Sequence, residues 1–228
     1  MERIPEQEVI QQLKDARRFN QVMGKGLVQR EYHQLAHNVE AMGVPAGGKI
    51  LDLGTGTGFV AIEIARLQGS NAQVIGLDLS EAMLTLAAEN AAQKTVADRI
   101  TWRMGDADRM PFADGELDFV VSSGSLHHWE EPLLVFDEIA RVLKPDGQCL
   151  VRDSKRLTHF GSRLFAWVIG LTIPPDFRKH YWGSIRSSYT PDELRRILQR
   201  SRLQGWWIEE DVMDLVVVKE NTREEGKA

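Results

Sequence analysis

Between residues 49 and 153 the chain alternates short apolar runs with stretches of helical periodicity. Five runs read as strands: 49–53, 73–78, 100–104, 119–123 and 148–153. Helices are predicted to start between them, near Gly58, Glu81 and Pro132. In the last of these, Phe136, Ile139, Ala140 and Leu143 recur at i, i+3, i+4 and i+7, which marks one apolar face. Pro132 suits the first helical position, where an N–H would have no intrahelical partner. Strands alternating with helices imply βαβ units, a parallel sheet and right-handed crossovers.

Two regions flank this core. Before it, Val28, Tyr32, Leu35, Val39 and Met42 describe the apolar stripe of a helix. After it, Thr190-Pro191-Asp192-Glu193 is a capping box with proline at the first helical position, and Leu194, Ile197 and Leu198 line one side of the helix it opens. Two more strand-like runs follow, at 206–209 and 213–219. The interval 154–188 is irregular, with an apolar helix candidate at 160–171 and a breaker at Pro174-Pro175. A lid and a packed surface excursion are both open for it. The expected organisation is a single domain: a helical cap (1–46), an α/β core (47–153), the lid-like insertion (154–188), a helix with two strands (189–220) and a tail (221–228).

The 228 residues, 43% hydrophobic and 27% charged, suit one ordinary globular domain. A net charge of −5 leaves no electrostatic footprint for nucleic acid. Arg195, Arg196, Arg200 and Arg202 read as a solvated helix face. Cys149 is the one cysteine, so intrachain disulfides and multi-cysteine zinc sites are excluded, and its strand-like surroundings predict a buried thiol. The most apolar stretch, 164–173, is shorter than the ~18 residues of a membrane span. A cytoplasmic protein is expected.

The most informative stretch is Ile50-Leu51-Asp52-Leu53-Gly54-Thr55-Gly56-Thr57-Gly58, a buried strand running through three glycines into a helix. Glycine permits the tight turn and lets a ligand approach the backbone. Phe59 stands where dinucleotide enzymes want a further glycine, and the phosphate-loop Gly-Lys-Ser/Thr ending is absent. The next strand ends at Asp78, 24 residues after Gly54, where ribose-binding acids of Rossmann folds lie. The strand after that runs into Gly105-Asp106-Ala107, which puts a second carboxylate on the same sheet edge.

With these pieces in place, the sequence resembles the class I S-adenosylmethionine-dependent methyltransferases, in the small-molecule branch that includes ubiquinone and menaquinone biosynthesis. The matching motifs also include Leu77-Asp78-Leu79-Ser80, Asp108-Arg109-Met110-Pro111-Phe112, Phe119-Val120-Val121-Ser122-Ser123, Leu126-His127-His128-Trp129 and Arg141-Val142-Leu143-Lys144-Pro145-Asp146-Gly147. The resemblance implies a Rossmann-like, seven-stranded, mostly parallel sheet with helices on both faces and a last strand running antiparallel. It implies that Gly54, Gly56 and Gly58 pass under the methionine portion of the cofactor, with Asp52 reaching its amino group through water. Asp78 would bind the ribose and Leu79 pack on the adenine. Asp106 and the Ala107 N–H would meet the adenine edge, and Ser122 and Ser123 line the methionine side. Asp78 and Asp106 also have a plainer reading, as caps of the helices that follow.

The implied chemistry is transfer of a methyl group to a small, moderately hydrophobic acceptor, for which the protein mainly positions reactants and removes water. A hydroxyl or amine acceptor also benefits from a base. His127 and His128, just after the fourth strand, are the candidates, His127 ahead of His128, and a packing role is open to both. Tyr32, His33, His37, Asp153, His159, His180 and Tyr181 lie on flanks that reach toward the same cleft. Trp167 and Trp182 are candidates for an acceptor pocket, while Trp206-Trp207 belongs to a strand. No spacing suits a metal site. A catalytically silent cofactor-binding subunit is the competing reading.

Overall fold

The computed structural model describes residues 3–4 and 10–221. Two helices, α1 (Leu13–Met23) and α2 (Gly26–Met42), precede the core. The core then runs β1 (Gly48–Leu53), α3 (Phe59–Gln68), β2 (Ala72–Asp78), α4 (Glu81–Gln93), β3 (Ile100–Met104), β4 (Leu117–Ser123), α5 (Pro132–Val142) and β5 (Leu143–Ser154). The chain continues through α6 (Phe160–Thr172), α7 (Arg178–Ser187), α8 (Pro191–Leu198), β6 (Trp206–Glu210) and β7 (Asp214–Lys219).

The seven strands lie in the order β3-β2-β1-β4-β5-β7-β6. β1 to β5 pair in parallel, and β7 enters antiparallel between β5 and β6. This is the expected sheet. The strand order reverses between β1 and β4, the place where a doubly wound sheet opens a ligand crevice at its carboxyl edge.

Period-two alternation divides the core in two. Leu51, Leu53, Val120 and Val151 face one side, against Phe136 and Ile139 of α5 and Leu194 and Leu198 of α8. Ile50, Val74, Phe119, Val121 and Leu150 face the other, against Leu35 and Val39 of α2 and Ile62 and Ile64 of α3. Helix starts follow the sequence signals. The Ser80 hydroxyl caps α4 by accepting the Met83 N–H, and Thr190 and Glu193 close a reciprocal capping box on α8. Strand starts differ from expectation at β4, which begins at Leu117 and not 119, and most at β5. Strand geometry begins at Leu143, not Gln148, because Leu143 already pairs with Leu117 and the Lys144–Gly147 excursion is absorbed as a register shift before Phe119 meets Gln148.

Candidate active site at the carboxyl edge of the sheet

Adjacent strands deliver the singled-out residues in spatial order: Asp106 past β3, Asp78 ending β2, the glycine turn after β1, and Ser122 and Ser123 closing β4. Gly54, Gly56 and Gly58 have φ of 69°, 53° and 82°, the left-handed region that glycine alone enters freely. Their surroundings separate their roles. A Cβ at Gly54 would sit 2.6 Å from Ser125 Cβ, and one at Gly58 would sit 2.7 Å from the Trp102 ring and 2.9 Å from Ala87 Cβ. At Gly56 a Cβ would meet nothing within 4 Å. Gly54 and Gly58 therefore press the turn onto the protein, while Gly56 offers its backbone to open space. The turn is fixed by Gly54 and Thr55, whose N–H groups both donate to the Leu77 carbonyl at 2.9 Å. Asn90 of α4 donates to the Thr57 carbonyl at 2.8 Å and is itself tied to Asn20 of α1.

The two acids nearest the turn differ. Asp52 is buried, and its Oδ2 accepts the Thr55 hydroxyl at 2.6 Å and the Ala61 N–H at 3.0 Å. Burial pushes its carboxyl up to about 7, against the pull of those two hydrogen bonds. It braces β1 to α3 from behind the turn. Asp78 lies at the front: Oδ2 accepts the Gly56 N–H at 2.7 Å and Oδ1 the Ser80 N–H at 2.9 Å. Burial raises this carboxyl also, and the same hydrogen bonds oppose it. Beside it, Leu79 (47% exposed) and Met104 (66%), which is the register partner of Asp78, leave large apolar surfaces uncovered. Asp106 is exposed, and Ala107 packs partly against the core.

At β4, the buried Ser122 hydroxyl donates to the Leu53 carbonyl at 2.8 Å and lies 2.7 Å from Ser125 Oγ, pinning two strand ends together. Ser123 is half-buried. His127 follows in a single helical turn, Leu126–His128. Its Nδ1 lies 2.7 Å from Asp153 Oδ1, and its N–H donates to Oδ2 of the same carboxylate at 2.8 Å. Both side chains are buried. Burial alone would raise the Asp153 carboxyl; the attraction and hydrogen bonds of His127 outweigh it and hold the carboxyl below its usual range. His128 is exposed, its ring centroid 4.0 Å from that of His127. Arg3 closes this flank, donating to the carbonyls of His127 at 3.1 Å and Ser187 at 2.6 Å and lying 4.1 Å over the Tyr189 ring.

Of the flank candidates, Asp153 engages His127 of this edge. Tyr32 stacks on Phe59, while His33 and His37 pair with Glu63 and Glu40. Tyr181 donates to the Ala166 carbonyl between α6 and α7, His159 stands at the N-cap position of α6 without a side-chain cap bond, and His180 lies against Phe177. Trp167 points outward and Trp182 packs against Gly170, so the two do not form one acceptor pocket. Asn90 and Ser125 escaped sequence reading. Asn90 had a signal, a polar residue on the buried stripe Met83, Leu86, Ala87, Ala91. A cleft of about 560 Å³ lined by Lys49, Gln73, Arg99 and Glu116 opens at the amino ends of the strands, away from all these groups, and its Lys49 and Glu116 are paired at 2.9 Å. Among the described residues no group of three or more His, Cys, Asp or Glu is arranged to hold a metal ion.

A doubly wound sheet whose last strand, β7, runs antiparallel between β5 and β6, a three-glycine turn and an acid ending the second strand define a Rossmann-like methyltransferase. The chain belongs to the methyltransferase-domain family, whose model matches residues 45–201. It is 28% identical over 179 residues to a demethylmenaquinone methyltransferase of Lactobacillus johnsonii, covering 78% of this chain and 73% of that protein. Over 110 residues it is 36% identical to a 2-phytyl-1,4-naphtoquinone methyltransferase of Synechococcus elongatus, covering 48% of this chain and 47% of that one. The chain thus spans about half the length of several curated relatives it matches. Its fold superposes on a putative S-adenosyl-L-methionine-dependent methyltransferase of Methanococcus maripaludis with a TM-score of 0.72 at 23% identity, over 97% of this chain and 99% of that one.

Proposed function

We propose that this enzyme transfers a methyl group from S-adenosylmethionine to a small hydroxylated aromatic acceptor of the quinol type, with His127 as the base. The observation that carries the reading is the buried His127–Asp153 pair, set at the end of β4 on the same sheet edge as the glycine turn. The residues fit the cofactor. Gly56 leaves room for a ligand against the backbone, and Asp78 offers carboxylate oxygens for ribose hydroxyls. Leu79 and Met104 provide apolar surface for an adenine, with Asp106 and Ala107 at its edge. Asp52 acts through the turn it braces, and Ser122 and Ser123 shape the methionine side. The names of the quinone-acting relatives support an acceptor of that chemistry.

When bound, the cofactor supplies an electrophilic methyl on a sulfonium. Asp153 holds His127 Nδ1, so proton exchange with an acceptor falls to Nε2. That nitrogen takes the acceptor's hydroxyl proton as the methyl bond forms, and the Asp153 carboxylate balances the charge left on the ring. His128, at the surface, borders the acceptor side. Because His127 is 5% exposed, access depends on movement of α6 and α7, the latter packed beside the 126–128 turn. The insertion 154–188 is a lid in this reading. A cytoplasmic setting goes with it.

The test is release of S-adenosylhomocysteine with a panel of quinols, phenols and amines. Release with a quinol, tied to a methylated product, is expected. Cofactor binding with no product from any acceptor class would favour a silent binding subunit.

A further inference from the structure

We infer that α6 is a membrane-surface anchor, its outward arc of large apolar side chains bedding in the interface of an anionic bilayer. A surface helix normally buries its apolar stripe and shows polar residues to water. Helix α6 is built the other way round. Its buried residues are the small Ala166 and Gly170, set against Tyr181 and Trp182 of α7. Its outward residues are Phe160, Leu164, Phe165, Trp167, Val168 and Leu171, between 49% and 81% exposed. At 100° per residue these six cover an arc of roughly 160°. Single exposed apolar residues need no explanation; a contiguous apolar face marks an interaction site.

Charge identifies the occupant. The chain carries a net charge of −5, yet residues 154–190 hold six Lys and Arg against one acid, Asp176; Lys155 and the buried Arg156 pair with Glu210 and Glu193, so the cations that bear on this face are Arg163, Arg178, Lys179 and Arg186. Asp176 is already matched, its two oxygens accepting from Arg18 at 2.7 and 2.9 Å. Arg163 projects from α6 beside the apolar arc and is exposed. Arg178 donates to the carbonyls of Leu171 and Ile173, which places a guanidinium at the end of the helix next to the last apolar residue. Aromatic and aliphatic side chains edged by arginine and lysine are the composition of a helix lying in a headgroup layer. Each cation near an anionic surface adds to the attraction. Thirteen residues reach about 20 Å, short of the ~30 Å hydrocarbon core, so the helix lies in the plane of the surface. A second copy of a net-acidic chain offers no equivalent match to both features.

The test uses the full chain with vesicles of phosphatidylcholine alone or mixed with phosphatidylglycerol, read by co-sedimentation. Binding is expected with the anionic vesicles and should weaken as salt rises above about 0.1 M. The variant Leu164→Ser/Phe165→Ser/Leu171→Ser should bind about tenfold less or worse, because three inserted side chains are removed. Circular dichroism checks that it folds. If it does not, Arg163→Glu/Lys179→Glu, which changes only exposed charges, should also cut binding about tenfold. Absence of binding to either vesicle overturns the proposal, as does unchanged binding in these variants. Concentration-dependent dimerisation without vesicle binding, abolished by the serine variant, would overturn it in favour of a second copy.

Discussion

Asp153→Asn tests the site most sharply, because it changes one oxygen into a donor without changing size. In the native pair, Oδ1 accepts from His127 Nδ1 at 2.7 Å and from the Ser154 N–H at 2.6 Å, while Oδ2 accepts the His127 N–H at 2.8 Å. An asparagine oxygen can keep the bond to the His127 N–H. Its NH2 then stands where Oδ1 stood, facing two donors. The ring relieves one conflict by moving its proton to Nε2, and the Ser154 N–H loses its acceptor. One buried unsatisfied donor and one lost charge-assisted bond together cost about 2–4 kcal/mol. The catalytic effect is separate from this loss. A proton on Nε2 removes the base from the atom that must accept, so kcat should fall about 10²-fold or more. Affinity for S-adenosylhomocysteine should stay within about threefold, because the Asp153 carboxylate bonds to His127 and Ser154 and not to the glycine turn.

The same substitution has a pH signature. The folded-state pKa of Asp153 is depressed, so its contribution to stability is present above the usual carboxylate value, about 4, and is lost as pH falls through the lower folded value. Asparagine should flatten that acid limb in chemical denaturation curves. Stopped turnover assays at saturating cofactor, paired with these curves, distinguish the roles. Loss of stability with turnover per folded enzyme unchanged would leave His127–Asp153 as packing and remove the base.

Other outcomes follow from the glycine turn and its acids. Asp78→Ala should weaken S-adenosylhomocysteine binding at least about tenfold by calorimetry, since the ribose loses a charged acceptor; unchanged affinity would move the cofactor elsewhere. Gly58→Ala should lower stability more than Gly56→Ala, because its Cβ meets Trp102 and Ala87 while Gly56 opens on space. Gly56→Ala should instead show its main effect in cofactor affinity, and equal melting losses in the two variants would refute the distinction. For Asp52, the raised pKa means the folded state holds a proton that the unfolded chain releases at lower pH, so its contribution to stability declines as pH rises from about 4 to about 7. A cationic amino group arriving nearby should expel that proton, making the binding enthalpy at pH 7 depend on the buffer's ionisation heat; Asp52→Asn should remove the dependence.

The sequence carried the sheet and the order of its strand ends because both are written in local terms. Period two in β1 and β4, 3.6 in α5, a capping box at Thr190 and glycines at a strand end each constrain a few neighbouring residues, and the parallel topology follows from their order. The sequence could place Asp52 and Asp78 near adjacent strand ends but could not say which would be buried. That depends on where Thr55 and Ala61 donate, and only the folded turn shows Asp52 held from behind and Asp78 in front. The His127–Asp153 pair lay further out of reach. Its members are 26 residues apart, and they meet because β4 and β5 are register neighbours through Ser123 and Arg152, which sets Asp153, the next residue of β5, beside the turn that follows β4. Alternation along a strand predicts which face a residue takes; it does not predict which residue of the neighbouring strand stands opposite. The same limit applied to α6. Its apolar run was visible, but an apolar helix of that length reads equally as core, and only the fold shows that the small residues, Ala166 and Gly170, turn inward and the large ones outward.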